Sequence, residues 1–133
     1  MKISKGNAVC TYTLTGNSVS YTFRYIIKLK NPVDGAILAE SVSKTQRRYP
    51  YLSVRMRKNA FEYFYEPNYL PVVTLNTDKI ITLNAEQTNY HVWAVCYKDN
   101  KIFFDCYHGI TDGCGSKNLF ATLIYYYCNK RYG

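Results

Sequence analysis

The sequence predicts an α+β domain with a mainly antiparallel sheet and two main helices packed on one face. Several stretches alternate apolar and polar residues, as half-buried strands do, and two others repeat apolar residues at helical spacing. These elements follow in the order strand, helix, hairpin, irregular connection, hairpin, helix. The chain has 133 residues, of which 47% are hydrophobic, so a single domain over residues 1–133 with its own core is expected.

The first clear strand is predicted over residues 19–30, where Val, Tyr, Phe, Ile and Leu alternate with polar or basic residues. A helix is predicted to follow, with Asn31 as its N-cap and Pro32 in its first turn. Pro50 is predicted to stop it. Its apolar face is thinned by Ser41 and Thr45, and the residues expected on that face are Val33, Ile37, Leu38, Val42 and Tyr49.

Two hairpins are predicted after this helix. The first pairs residues 52–57 with 61–65 around a turn at Lys58 and Asn59, and the second pairs residues 92–97 with 101–107. Alternation in the second hairpin places one set of side chains on a common face. This set comprises Trp93, Val95, Tyr97, Ile102, Phe104 and Cys106.

Three shorter segments give weaker patterns. Residues 9–14 resemble a short strand, and residues 72–75 and 80–83 are interpreted as edge pieces of the sheet. The last part of the chain predicts a helix that reaches the end of the sequence, because apolar residues recur there at helical spacing. Those residues are Leu119, Phe120, Leu123, Ile124 and Tyr127.

The segment between the last strand and the last helix carries the strongest functional pattern. It reads His108-Gly109-Ile110-Thr111-Asp112-Gly113. A histidine at a strand end can move protons near neutral pH, because its ordinary pKa lies near ~6.5. Glycines allow a sharp turn and close approach of a substrate. The alternative is a structural role, in which His108 only binds a carbonyl of the loop.

Other histidine and cysteine residues are interpreted as structural. His91 has no cysteine or acid at ligand spacing. Cys106 and Cys114 flank the motif. A cysteine nucleophile with His108 is disfavoured, because Cys106 is expected to face the core and Cys114 to be a small residue before the helix. A zinc site of His108, Cys106 and Cys114 is disfavoured, because it lacks a fourth ligand and the usual spacing. Five cysteines without a tight spacing pattern predict reduced thiols, with Cys96 and Cys106 on opposite faces of the hairpin.

The motif segment resembles the His-x-x-x-Asp-Gly active-site motif of the chloramphenicol acetyltransferase-like superfamily. The chain is most similar to the N-terminal half of bacterial alcohol acetyltransferase-like and condensation-domain proteins. Pro32-Val33-Asp34 and Arg47-Arg48-Tyr49-Pro50-Tyr51-Leu52 resemble the start and exit of the first helix of that family. Tyr107 stands where condensation domains usually carry a second histidine, and the family's Asp-Phe-Gly-x-Gly element is absent.

The resemblance implies an acyl-CoA-dependent O- or N-acyltransferase with His108 as its general base. Asp112 would orient the loop and Gly113 would permit its turn. The co-substrate would be acetyl-CoA, another acyl-CoA or an acyl-carrier thioester, and the acceptor a small alcohol or amine. Members of the family contain two similar halves, so activity would require a second subunit or a separate C-terminal half. No permanently bound cofactor and no metal are implied.

Two other functions remain open. The chain could be a non-catalytic interaction or scaffold form of the same fold. It could also bind single-stranded nucleic acid, since its formal charge is +8 and residues 61–65 are rich in aromatic side chains. The preferred interpretation of the aromatic residues is core packing, and that of the positive charge is a solvated surface. The residues that would form a basic patch are Arg47, Arg48, Arg55, Arg57 and Lys58.

The location of the protein is expected to be cytoplasmic. The reduced cysteines favour that compartment, and the N-terminal residues show no apolar segment of the kind found in secretory signals. No run of the sequence has the length and hydrophobicity of a transmembrane segment. No contact with a membrane is therefore expected.

Overall fold

The structure, a computed structural model, describes residues 22–107 and 113–133, apart from the side chains of residues 63 and 113–115. In this part of the chain, six strands and two α-helices follow the predicted order. They are β1 (Thr22–Lys28), α1 (Gly35–Arg48), β2 (Val54–Lys58), β3 (Tyr63–Pro67), β4 (Thr74–Asn76), β5 (Trp93–Lys98), β6 (Lys101–Tyr107) and α2 (Gly113–Tyr132). Single 3₁₀ turns lie at Pro50–Leu52 and Glu86–Thr88.

The central element is a four-stranded sheet with the order β1-β6-β5-β4. β6 pairs antiparallel with both β1 and β5, while the short edge strand β4 runs parallel to β5. Strands β2 and β3 form a separate antiparallel hairpin. The α+β class and the mainly antiparallel sheet are therefore as the sequence predicts.

Both faces of the four-stranded sheet are covered. The helices pack on one face, where they form a core with Leu38, Val42, Trp93, Val95, Ile102, Phe104, Cys106, Leu119, Leu123 and Tyr127. The β2–β3 hairpin and the following connection pack on the other face, with Val54, Met56, Tyr65, Ile81, Leu83, Ala94, Cys96 and Phe103. The predicted common face of the last hairpin is confirmed, and so is the placement of Cys96 and Cys106, both free thiols, on opposite faces.

Helix α1 begins three residues later than the sequence predicts. Its N-cap is Asp34 rather than Asn31, and the Asp34 carboxylate accepts a hydrogen bond from the amide of Ile37 at 3.1 Å. The preceding segment is held elsewhere, because the Val33 amide donates to the Asp99 carbonyl at 2.8 Å in the β5–β6 turn. This long-range contact keeps Asn31 and Pro32 outside the helix.

The buried face of α1 contains two hydroxyl side chains beside Leu38 and Val42. Ser41 donates to the carbonyl of Ile37 and Thr45 to that of Ser41, each at 2.8 Å. Bonding to the preceding turn satisfies these hydroxyls within the helix, so their burial leaves no polar group unpaired. The polar gap in the predicted apolar face is therefore compatible with close packing.

The two helices run antiparallel across the sheet. The start of α1 meets the end of α2, where the Asp34 amide donates to the Tyr127 hydroxyl at 3.0 Å. The end of α1 meets the first half of α2, where the hydroxyls of Tyr49 and Thr122 lie 2.9 Å apart. These polar contacts fix the position of one helix along the axis of the other in a largely apolar interface.

The first predicted hairpin exists, but its strands and turn are shifted. Leu52 lies in a 3₁₀ turn, and Lys58 pairs with Tyr63 across a four-residue connection rather than lying in the turn. Asn59 sets this connection, because its side-chain oxygen accepts from the amides of Phe61 and Glu62 at 2.8 and 2.9 Å.

The predictions for the weaker segments agree with the structure to different extents. Residues 72–75 overlap β4, which is an edge strand as expected. Residues 80–83 are not a strand; Ile81 and Leu83 instead insert into the core on the hairpin side of the sheet. The expected strand at residues 9–14, and the first residues of the strand expected from residue 19, lie outside the described residues.

Candidate functional site

The predicted catalytic loop lies between the end of β6 and the start of α2. His108 and Asp112 are outside the described residues, and Gly113 is the first residue of α2. The structure therefore describes the two elements that hold the loop and the contacts that fix them.

The strand that leads into the loop is central and fully buried at this end. Cys106 pairs with Phe23 on one side and with Trp93 on the other. The next residue, Tyr107, donates its amide to the Val92 carbonyl at 2.9 Å. Because neighbouring strands hold it on both sides, the chain leaves the sheet towards residue 108 from a fixed position.

Aromatic packing fixes the first turns of α2 against the same end of the sheet. The Phe120 ring lies 5.5 Å from that of Tyr25 and 5.2 Å from that of Phe104. The Tyr25 hydroxyl is 3.2 Å from the hydroxyl of Ser116, which is buried in the first turns of α2. Tyr25 thus links β1 to the segment that follows the motif by both a ring contact and a hydrogen bond.

A buried ion pair lies on the opposite face of β6, three residues before position 108. Asp105 accepts from Nε and Nη2 of Arg24 at 2.7 and 2.9 Å. Arg24 also donates to the carbonyls of Asp78 and Lys79, at 2.9 and 3.0 Å, and lies 4.6 Å from the centre of the Phe103 ring. One guanidinium therefore joins β1, β6 and the connection at residues 78–79.

The hydrogen bond to Asp105 raises the pKa of Arg24 above its ordinary value, and burial has a smaller effect in the opposite direction. Arg24 and Asp105 are absent from the sequence prediction. A carboxylate within an apolar strand is the signal that could have found them, because a buried charge requires a partner. The partner is 81 residues away, and the β1–β6 register identifies it.

The cysteines of the central strands are poor nucleophiles. Burial, with a contribution from the Asp105 charge, raises the pKa of Cys106 to about 12. The same two causes raise the pKa of Cys96 to about 11. Since the thiolate is the reactive form, these values argue against a Cys106–His108 catalytic pair. The Cys114 side chain lies outside the described residues.

His91 occupies a structural position. It is fully buried, and its Nε2 lies 2.6 Å from the Leu70 carbonyl, so this nitrogen carries the proton and donates. Burial lowers the pKa of His91. The neutral ring thereby holds the connection that precedes β4 against the start of β5.

Two of the residues expected in a basic patch are paired with an acid. Glu66 lies 3.2 Å from Arg57 and 3.9 Å from Arg55, and the Arg55 guanidinium also lies 4.3 Å from the centre of the Tyr90 ring. These contacts favour a solvated, partly neutralised surface over a nucleic-acid interface.

Phe61 and Tyr65, two of the aromatic residues at 61–65, do not lie on one surface. Tyr65 is buried in the core on the hairpin side, whereas Phe61 lies in the turn with 96% of its surface exposed. Core packing is thus correct for Tyr65, and Phe61 is an exposed aromatic residue at the tip of the hairpin.

A largely apolar groove of about 530 Å³ lies where α1 ends. Its walls include the exposed rings of Tyr51 and Tyr69. Gln46 holds one side in place, since its amide donates to the Leu70 carbonyl at 2.9 Å and accepts from the Val72 amide at 2.9 Å. The groove is on the end of α1 that contacts the first half of α2.

Among the described residues, His, Cys, Asp and Glu side chains form no group of three able to hold a metal ion. Neither of the helices described in the structure has the length and apolar character needed to span a membrane.

Comparison with known proteins gives matches only at the level of structure. No protein-family model and no curated protein matches the chain. The starter condensation domain of rhizomide synthetase RzmA matches with a TM-score of 0.68 and 10% identity, over 100% of this chain and 39% of that chain. The X-domain from teicoplanin biosynthesis matches with a TM-score of 0.69 and 13% identity, over 95% of this chain and 32% of that chain.

A further match is polyketide synthase associated protein 5 from Mycobacterium tuberculosis, with a TM-score of 0.67 and 9% identity. It covers 98% of this chain and 34% of that chain. The chain thus has the fold of one subdomain of the condensation domains and spans less than two-fifths of their length. At these identities the likeness shows the fold, and the predicted resemblance is confirmed at that level.

Proposed function

We propose that the protein carries the general-base half of an acyltransferase site that acts on thioesters. The observation that carries this proposal is the condensation-domain fold combined with the His-x-x-x-Asp-Gly sequence between β6 and α2. The loop follows a strand held on both sides and precedes a helix fixed by Tyr25. Such a rigid frame supports catalysis, because a general base must be held within hydrogen-bond reach of the proton it removes.

In this proposal, an imidazole nitrogen of His108 takes the proton of an acceptor hydroxyl or amine. The oxygen or nitrogen attacks the thioester carbonyl carbon at the same time, forming a tetrahedral oxyanion. When this intermediate collapses, the carbon–sulfur bond breaks and the thiolate receives the proton from His108. Asp112 orients the loop, and Gly113 permits the turn into α2.

The acyl donor is proposed to be acetyl-CoA, another acyl-CoA or an acyl-carrier thioester. The groove at Tyr51 and Tyr69 supports an apolar acyl chain or acceptor, because apolar walls favour such groups. The groove lies at the end of α1, which contacts α2 at Thr122.

A second polypeptide unit is proposed to complete the cleft. The chain spans 39% of the RzmA condensation domain, and a tetrahedral oxyanion requires donors on the side opposite the base. A separately encoded C-terminal half or a second copy of this chain would supply that side.

The test compares thiol release from acetyl-CoA and from an acylated carrier protein, by wild-type protein and by His108→Ala. The assay is run with the chain alone and with a candidate second half. Loss of the general base is expected to lower the rate about 10²- to 10⁴-fold. Lys117→Ala, an exposed position on α2, is the matched control and should retain the wild-type rate.

Equal rates for the wild type and His108→Ala would contradict general-base catalysis by His108. Absence of turnover in every combination would favour the non-catalytic scaffold form of the fold. In that case, tight binding of a second half by both the wild type and His108→Ala would show that the chain serves assembly and that His108 is not required for it.

A further inference from the structure

Three lysines form a row at the end of the sheet opposite the motif. Lys101 begins β6, and its direct cross-strand partners are Lys28 on β1 and Lys98 on β5. Residues directly opposite each other project on the same face of a sheet, with Cβ atoms about 4.5–5.5 Å apart. The three ammonium groups therefore extend from adjacent strands over one short line, here called the lysine row.

The lysine row is electrostatically unfavourable in the protein alone. Like charges directly opposite each other destabilise a sheet. Within the described part of the chain, none of the three forms a salt bridge; the ion pairs found there involve Arg24, Lys44, Arg55 and Arg57. The neighbouring ion pair of Arg24 and Asp105 shows that the same strand pair does place opposite charges together at another position.

The lysine row borders a surface cavity of about 330 Å³. All three lysines line it, together with Asp78, Asp99, Asn100 and Phe103. Asn100 is held in place, because its side-chain amide donates to the Leu29 carbonyl at 2.8 Å. Asp78 is also fixed through its carbonyl, which accepts from Arg24 at 2.9 Å. The cavity walls are thus held by the hydrogen-bond network of the sheet.

We propose that this cavity binds a compact phosphate-type oxyanion, of the size of one phosphate or diphosphate group. Three donors from three adjacent strands can surround such a group, and its charge offsets their mutual repulsion. Asp78 and Asp99 also line the cavity, and their negative charges disfavour an extended polyanion with further phosphates.

The proposed anion site is independent of the acyl-transfer proposal. It lies at the other end of β6, where six residue steps of about 3.3 Å each separate Lys101 from Tyr107, the strand residue that leads to position 108. Failure of either proposal therefore leaves the other unaffected.

The experiment titrates the wild-type protein with inorganic pyrophosphate, at constant ionic strength set with chloride. Saturable binding at one site is expected by calorimetry, with amide shift changes in NMR spectra centred on residues 98–101. Lys101→Thr should weaken the affinity at least ten-fold, while Lys101→Arg keeps the charge and most of the affinity. Lys117→Thr, on α2, is the control and should bind like the wild type.

Three results would overturn the proposal. The first is an equal pyrophosphate affinity in the wild type and Lys101→Thr. The second is a response that follows ionic strength alone and does not saturate. The third is tighter binding of a single-stranded oligonucleotide than of pyrophosphate through the same lysines, which would assign the row to a nucleic acid.

Discussion

The two ends of strand β6 differ in how the sheet is built around them. At the end that leads to the motif, Cys106 and Tyr107 are buried, and Cys106 is paired between Phe23 and Trp93. At the other end, Lys101 is exposed and faces a lysine on each side. A single strand thus has one end stabilised by packing and another that keeps an unfavourable charge arrangement.

This difference indicates what each end contributes. The packed end provides a rigid exit for the loop, as a site that depends on side-chain position requires. The lysine row lowers the stability of the sheet, and no structural role for it is evident. Sites that break the local rules of stability in this way are often sites of interaction.

The largest effect is expected from breaking the ion pair beside the packed end. Asp105→Asn leaves the Arg24 guanidinium, whose side chain is 13% exposed, without a charged partner inside the fold. Removing one member of a buried pair costs about 3 kcal/mol. Urea unfolding, followed by tryptophan fluorescence, should therefore show a free energy of unfolding lower by about that amount.

The matched control replaces both partners, because Arg24→Met with Asp105→Leu leaves no unpaired charge. Its stability is expected to lie within about 1 kcal/mol of the wild type or above it. If Asp105→Asn alone were as stable as the wild type, the pair would contribute nothing to this end of the sheet.

Periodicity in the sequence predicted most of this scaffold. Alternation gave the faces of Trp93, Val95 and Phe104, and helical spacing gave the buried side of α2 around Leu123. These features are local, since each depends only on residues close together in the chain. The start of α1 at Asp34 was missed, because the contact from Val33 to the β5–β6 turn joins residues far apart in sequence.

The candidate sites were less predictable for the same reason. The motif at His108 is a local pattern, and its role stays a prediction because those residues lie outside the described part. The Arg24–Asp105 pair and the lysine row both depend on the register of β6 against its neighbours. The sequence shows the charged residues, but only the register shows that one set is paired and the other is not.

An intermediate effect is expected from acid, through His91 at the packed end. Burial lowers the pKa of His91 from 6.5, so the unfolded chain binds the proton more readily than the folded protein. The stabilising contribution is therefore present above pH 6.5 and is lost as the pH falls towards the folded-state pKa. The loss reaches at most about 1.4 kcal/mol per pH unit.

Urea unfolding at pH 7.5, 6.5 and 5.5 measures this effect. His91→Gln is the matched variant, because its amide can still donate to the Leu70 carbonyl but does not titrate over this range. Its stability should depend less on pH than that of the wild type. The same pH dependence in both proteins would assign the titration to another group.

The smallest effect is expected at the lysine end, and its sign is opposite. Lys101→Thr removes the central charge of the row and introduces a residue that favours strands, so the free energy of unfolding should rise by about 0.2–1 kcal/mol. Added salt should reduce this gain, because exposed charges are screened over about 10 Å at 0.1 M. Lys101→Arg retains the charge and should give no gain. The salt dependence separates repulsion from strand propensity, because only the repulsion is screened by salt. A destabilised Lys101→Thr would mean that the lysine side chain packs usefully at this end, and the contrast between the two ends of β6 would then be one of exposure alone.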